Sequence, residues 1–355
     1  MGIRDRIIEV AQRRELDYKA LADAAGLPRP TVHRYMNGKA DLTGGRIDRL
    51  LDALGLAVGR NRRTKAEVHP PEPSLFMEPA TGVKPLIRYP GSKWRLLPRL
   101  IRNLPPHRHF VVPFGGSGAE ILRKPPSQLE TFNDIDGGVF GLFSVLQDDQ
   151  CRALLEKKLA STPAQSQRHY EQALHALKDH ADPVEKAWAF MVASFQGFCV
   201  ASPTAQRPVH WRYARQPHST AKNWLKLPEC VEAAARRFDG VQLMNTSWQE
   251  VVRKMDSPST CFLIDPPYHP ATLSRRYYAH PMSDRDHEQM LDTLEGVMGF
   301  IMLCGYESPL YADKLHRWRR LDFRASASLG VAKRARASRR ETVWLNYDER
   351  GKRLR

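Results

Sequence analysis

Residues 1–58 follow a helical rhythm. Ile7, Ile8, Val10 and Ala11, then Leu16, Leu21 and Ala22, recur at the spacing of helices with one apolar face. Within "LADAAGLPRPTVHRYMNGK" (21–39) the rhythm stops near Ala25, Gly26 makes a turn and Leu27 is an apolar plug. A second helix is expected from Pro30-Thr31 to Met36, stopped by Asn37-Gly38. Two short helices joined through a glycine turn predict a helix-turn-helix. Residues 59–84 lose periodicity: basic "GRNRRTK" runs into proline-rich "HPPEPS", which reads as a linker.

From residue 85 the pattern becomes strand, turn, helix. "HFVVPFGGSGAEILRK" (109–124) offers a short apolar strand, a glycine-rich turn and an amphipathic helix. "LETFNDIDGGVFGLFSVLQ" (129–147) repeats the scheme with Asp134 at the strand end. "GVQLMN" (240–245), "TCFLID" (260–265) and "GFIMLCGY" (299–306) read as further strands. Alternating strands and helices imply an α/β fold whose sheet is covered on both faces. Residues 149–239 interrupt it with a mainly helical insertion, irregular at 201–226 and rich there in Arg, His, Trp and Tyr.

Charge narrows the partners. The chain carries a formal net charge of +16, and a protein this basic is expected to bind nucleic acid. Five separated cysteines show neither metal-ligand nor redox spacing, so reduced thiols, no metal site and a cytoplasmic location are expected. No apolar run approaches membrane-spanning length.

The candidate chemistry lies at two strand ends. Gly115, Gly116 and Gly118 form a turn that lets a ligand approach backbone N–H groups. No Gly-Lys-Ser/Thr follows, which disfavours a phosphate-cradling loop. Asp134 suits the vicinal hydroxyls of a ribose. A nucleoside cofactor without a phosphate cradle fits both features, and S-adenosyl-L-methionine is such a cofactor. "FLIDPPYHP" (262–270) runs a buried strand into Asp265, Pro266, Pro267 and Tyr268. Neither proline can donate a ladder hydrogen bond, so the chain turns and leaves Asp265 at the sheet's carboxyl edge. There Asp265 and the Pro266 carbonyl can accept both protons of an exocyclic amino group and free its lone pair. Tyr268 can stack on a base swung out of its helix.

Two family resemblances follow from these motifs. Residues 21–39 resemble the Cro/repressor-type (XRE) helix-turn-helix, which implies that Arg29, Thr31, His33 and Arg34 face a DNA major groove. Residues 85–349 resemble the Dam-like, alpha-group, phage-type DNA adenine N6-methyltransferases. "IRYPGSKWRL" (87–96), "FVVPFGGSGA" (110–119), "NDID" (133–136), "DPPY" (265–268), "YYAHPMSDRDHEQMLDTL" (277–294), "LCGYESPLY" (303–311) and "ETVWLNY" (341–347) carry the likeness in family order. It implies a Rossmann-like methyltransferase sheet with a target-recognition insertion at 149–239, beside a small all-α domain. It further implies that Tyr89, Lys93, Phe114, Gly115, Gly116, Gly118 and Asp134 border the S-adenosyl-L-methionine site, with Asp265-Pro266-Pro267-Tyr268 catalytic.

The chain departs from the family at Val112 and Ser247, where acids that help hold the cofactor are usual. Double-stranded DNA is the expected partner, contacted by Arg207, Arg212 and Arg215 among Trp211 and Tyr213, and by the basic run 332–340. A partner restriction nuclease is compatible with the family. Two other readings fit the same residues: a non-catalytic DNA-binding regulator on a methyltransferase fold, or transfer to cytosine N4 or RNA.

Overall fold

The structure is a computed structural model that describes residues 3–13, 16–39, 47, 50, 53–54, 83–197, 202–205, 210–213, 219–268, 278–324 and 340–354. The chain divides into two compact units, Met1–His69 and Pro70–Arg355.

In the first unit, α1 (Ile3–Arg13), α2 (Tyr18–Ala25) and α3 (Arg29–Met36) enclose a small core. Ile7, Leu21, Val32, Leu50 and Leu54 are fully buried in it. Asp17 caps α2 by accepting from Ala20 N at 2.7 Å. Gly26 adopts the left-handed conformation with φ 61°, and the chain turns so that Leu27 enters the core. Helix α3 starts at Arg29, just before the expected Pro30-Thr31, because proline fits the first helical turn. Its end at Asn37-Gly38 agrees with the sequence reading.

The second unit holds a seven-stranded sheet of β1 (His109–Val112), β2 (Leu129–Asn133), β3 (Gln242–Met244), β4 (Thr260–Ile264), β5 (Phe300–Gly305), β6 (Arg319–Arg324) and β7 (Arg340–Leu345). Their order is β3-β2-β1-β4-β5-β7-β6, with β6 and β7 antiparallel to their neighbours and the rest parallel. The five strands expected from the sequence are all present. Strand periodicity sorts the core into two layers. Phe110, Val112, Cys261, Leu263, Met302, Cys304, Val343 and Leu345 face one side. Val111, Phe262, Ile264, Ile301, Leu303 and Trp344 face the other.

Helices cover both faces. Helices Gly137–Gln147, Pro183–Gln196 and Leu227–Phe238 share the first layer's core, where Phe143 and Phe238 stack at 4.4 Å. The helices of 149–239 thus pack into one continuous core with the sheet. Helices Trp248–Met255 and Asp284–Glu295 cover the second layer. From β1 the chain moves outward through β2 and β3, then returns to place β4 on β1's other flank. The carboxyl ends of β1 and β4 form a topological switch point, where open α/β sheets bind ligands. The basic residues 332–339 lie outside the described residues, while Arg340 begins β7.

Candidate active site and DNA-facing surfaces

After β1 the chain passes Pro113 and Phe114 into Gly115-Gly116-Ser117-Gly118, and the helix Ala119–Arg123 follows. Backbone atoms hold this turn together. Gly115 N donates to Asn133 O at 2.7 Å, and Gly116 N donates to Asp134 Oδ2 at 2.7 Å. Gly118 has φ 67°, and a Cβ there would lie 2.5 Å from the Phe143 ring. It seats the helix on the core.

Between this turn and the end of β4 lies a cavity of about 340 Å³, within the range of roughly 300–1,000 Å³ usual for small-molecule sites. Tyr89, Phe114, Gly115, Gly116, Asp134, Asp265 and Pro267 of the expected set line it. Lys93, Gly118, Pro266 and Tyr268 lie outside its lining. Val112 is wholly buried in the sheet core and does not obstruct the cavity. Ser247 lines the cavity and caps the helix Trp248–Met255, accepting from Glu250 N at 3.3 Å. Beside it, Trp248 stacks on Phe114 with centroids 6.4 Å apart.

Asp134 sits where β2 ends. One of its oxygens accepts from Gly116 N at 2.7 Å and the other from Asp136 N at 2.8 Å. Burial nevertheless pushes its carboxyl up to about 7. Each oxygen keeps a second lone pair for a ligand.

Asp265 has one dominant partner. Lys93 Nζ donates to its two oxygens at 2.8 and 2.9 Å and to Gly91 O at 2.9 Å. Lys93 also lies 3.2 Å from Glu341. The Tyr268 hydroxyl joins the cluster, accepting from Lys93 and donating to Glu341. Burial opposes the Lys93 charge, but Asp265, Tyr268 and Glu341 together hold its pKa well above the ordinary value. Burial pushes Asp265 up to about 6, with Lys93 pulling down and Glu341 pushing up. The ammonium therefore fixes Asp265's orientation and keeps it ionised at neutral pH.

Tyr268 sits one layer behind the cavity. Its ring packs against Tyr306 at 4.6 Å, with Lys93 Nζ 4.7 Å from its centroid. Tyr278, by contrast, lines the cavity. Glu341, Glu120 and Tyr278 were not singled out in the sequence. Glu341 shares a strand face with Val343 and Leu345, so an inward-pointing acid was legible in the period of "ETVWL". Tyr278 carries no comparable signal, because only folding brings it to the cavity.

On α3, Thr31 is half-buried and His33 and Arg34 are exposed. His33 meets Tyr18 edge-on at 4.7 Å. Arg29 is exposed but engaged, donating to the two oxygens of Asp23 at 3.1 and 2.7 Å. In the insertion, Arg212 N donates to Gln196 O at 2.8 Å. Trp211 pairs with Gly197, and Tyr213 is 70% exposed beside it. Arg207 and Arg215 lie outside the described residues.

Comparison with known families gives the class of the chain. The family of D12 class N6 adenine-specific DNA methyltransferases matches residues 89–299, more than half of the chain. The chain belongs to this family. A helix-turn-helix domain family matches residues 8–64. No curated protein matches the chain. The D12 methyltransferase therefore methylates adenine N6 in DNA, using a methyl donor, and carries an appended DNA-binding module. The match is to adenine-specific DNA enzymes, not to cytosine or RNA methyltransferases. Among the described residues, no helix is long and apolar enough to cross a membrane.

Proposed function

We propose that the methyl donor is S-adenosyl-L-methionine, bound in the cavity between Asp134 and Asp265, and that the target adenine enters beside Asp265. The residues present suit this donor. Asp134 has lone pairs left for two vicinal hydroxyls, and Phe114 with Trp248 gives a flat apolar wall for a purine. When bound, the donor supplies an electrophilic methyl group on sulfur. Asp265 and the Pro266 carbonyl accept the two N6 protons of adenine and turn the nitrogen lone pair toward that methyl. Lys93 aims Asp265, while Glu341 and Tyr268 hold Lys93. Once N6 carries the methyl it sheds one proton, and Asp265, with its carboxyl near 6, is placed to take it. Tyr278 faces the extruded base, with Tyr268 and Tyr306 behind it.

In this reading residues 1–58 form the DNA-tethering module, 59–84 the linker and 85–349 the catalytic module, acting on cytoplasmic DNA. Arg29, Thr31, His33 and Arg34 contact one DNA segment, and the insertion around Arg207, Arg212 and Arg215 contacts the target. One observation carries the reading: a single cavity at the switch point has an acid from β2 and Asp265 from β4 in its walls. Transfer of tritiated methyl from S-adenosyl-L-methionine to duplex DNA tests it. Label in N6-methyladenine with the wild type, lost in Asp265→Ala, is expected. Label elsewhere, or full activity in the variant, would refute the assignment.

A further inference from the structure

The cavity contains a carboxylate that the proposed chemistry leaves unused. Glu120 lies in the first turn of the helix Ala119–Arg123, directly after the glycine turn. It lines the cavity yet is only 4% exposed. Among the described residues, its own backbone N–H supports the carboxylate, and no side chain donates to it. The nearest cation, Lys93, is committed to Asp265, Glu341 and Tyr268. Burial pushes the Glu120 carboxyl up to about 8, and the Asp265 charge adds to the rise. Glu120 is therefore held largely protonated, and a cationic ligand that donates to it would draw it into the ionised form. Within a ligand cavity, a buried acid with no side-chain donor points to the ligand.

We infer that Glu120 recognises the α-ammonium group of an amino-acid-bearing methyl donor. This rests on the donor proposed above and adds the residue that reads its amino-acid end. Charge and hydrogen bonding both select that group. Five acids line the cavity, Glu120, Asp134, Asp136, Asp265 and Asp286, with Lys93 behind them, so it favours a cation and repels phosphates. Asp136 already accepts from Gly138 N, Ser202 and Thr204, and Asp286 from Ser283. A sulfonium carries charge but no N–H, whereas an ammonium offers three donors. Asp134 is already placed for the ribose, which leaves Glu120 for the other end of the molecule. Ser92 and Ser117, hydrogen-bonded to each other at 2.9 Å in the same cavity wall, keep one hydroxyl proton to donate to the accompanying carboxylate. Glu120 thus supplies in this chain an acid contact that Val112 cannot make.

Calorimetry on the full chain tests the assignment with two thioether ligands. S-adenosylhomocysteine carries the amino acid, and 5′-methylthioadenosine lacks it. The wild type should bind S-adenosylhomocysteine about ten- to hundredfold more tightly, the value of a charge-assisted hydrogen bond. Glu120→Gln should lose most of that preference while keeping its affinity for methylthioadenosine. Unchanged binding of S-adenosylhomocysteine by the variant would overturn the inference. Equal weakening of both ligands would also overturn it, because that marks a structural role. If the wild type bound neither ligand, the donor proposal would fall first, and this inference with it. A third ligand needs no variant: S-adenosylhomocysteine without only its α-amino group should bind the wild type about ten- to hundredfold more weakly, and equal affinity would refute the role of Glu120.

Discussion

Lys93 is a single buried cation shared by two carboxylates, and that imbalance governs the site. Removing it in Lys93→Met strands Asp265 and Glu341 together in a poorly solvated pocket. Breaking a buried pair from one side costs about 3–5 kcal/mol, so a large drop in melting temperature is expected by calorimetry. Asp265 works only when ionised, and its carboxyl titrates near 6. The rate of methyl transfer should fall as pH drops through about 6; a flat profile from pH 5 to 8 would exclude that role. Glu120 shows the opposite face of burial. Its folded pKa is raised from 4.5 to about 8. The stability associated with it is therefore present below 4.5 and lost as pH rises through about 8. Glu120→Gln should accordingly melt above the wild type at pH 9, with the difference closing near pH 4.

Elements place these residues through their ends. β1 and β4 stop beside each other at the switch point, so a glycine turn and an acid converge without any direct sequence relationship. Gly118 shows how tightly that turn is set. Its φ of 67° disfavours a side chain, and the Phe143 ring occupies the space a Cβ would take. Gly118→Ala should cost about 1–2 kcal/mol for conformation and about 1–3 kcal/mol more for overpacking. Gly26 has a similar φ of 61° but nothing within 4 Å of a Cβ. Gly26→Ala should therefore cost only the conformational part, about 1–2 kcal/mol. Urea denaturation of the two variants would separate strain from collision.

At the scale of the whole molecule, charge is the dominant feature. A formal net charge of +16 makes binding to a polyanion strongly salt-dependent. In a double-logarithmic plot of affinity against salt, each phosphate contact contributes a slope of about −0.9. Deleting residues 1–58 should make this slope shallower while methyl transfer continues, measured by fluorescence anisotropy and label incorporation. Loss of both together would contradict a division of labour between the two units.

Local pattern determined much of this protein. Strand periodicity marked the sheet's two layers, glycine and proline marked the turns, and the order of short motifs carried the methyltransferase and helix-turn-helix likeness. These signals are short-range, and a strand's alternation or a turn's glycine needs no knowledge of distant residues. Tertiary structure decided the rest. Lys93, Asp265 and Glu341 are separated by long stretches of chain, and only the sheet order brings their charges together. The motif marks Tyr268, but only the fold ties its hydroxyl to Lys93 and Glu341 and brings Tyr278 into the cavity lining. Glu120 carries no signal in the sequence; its burial in the cavity wall, with no side-chain donor among the described residues, is what gives it meaning. Residue type and spacing can be read along a chain, but desolvation and charge balance exist only once distant groups share one enclosed space.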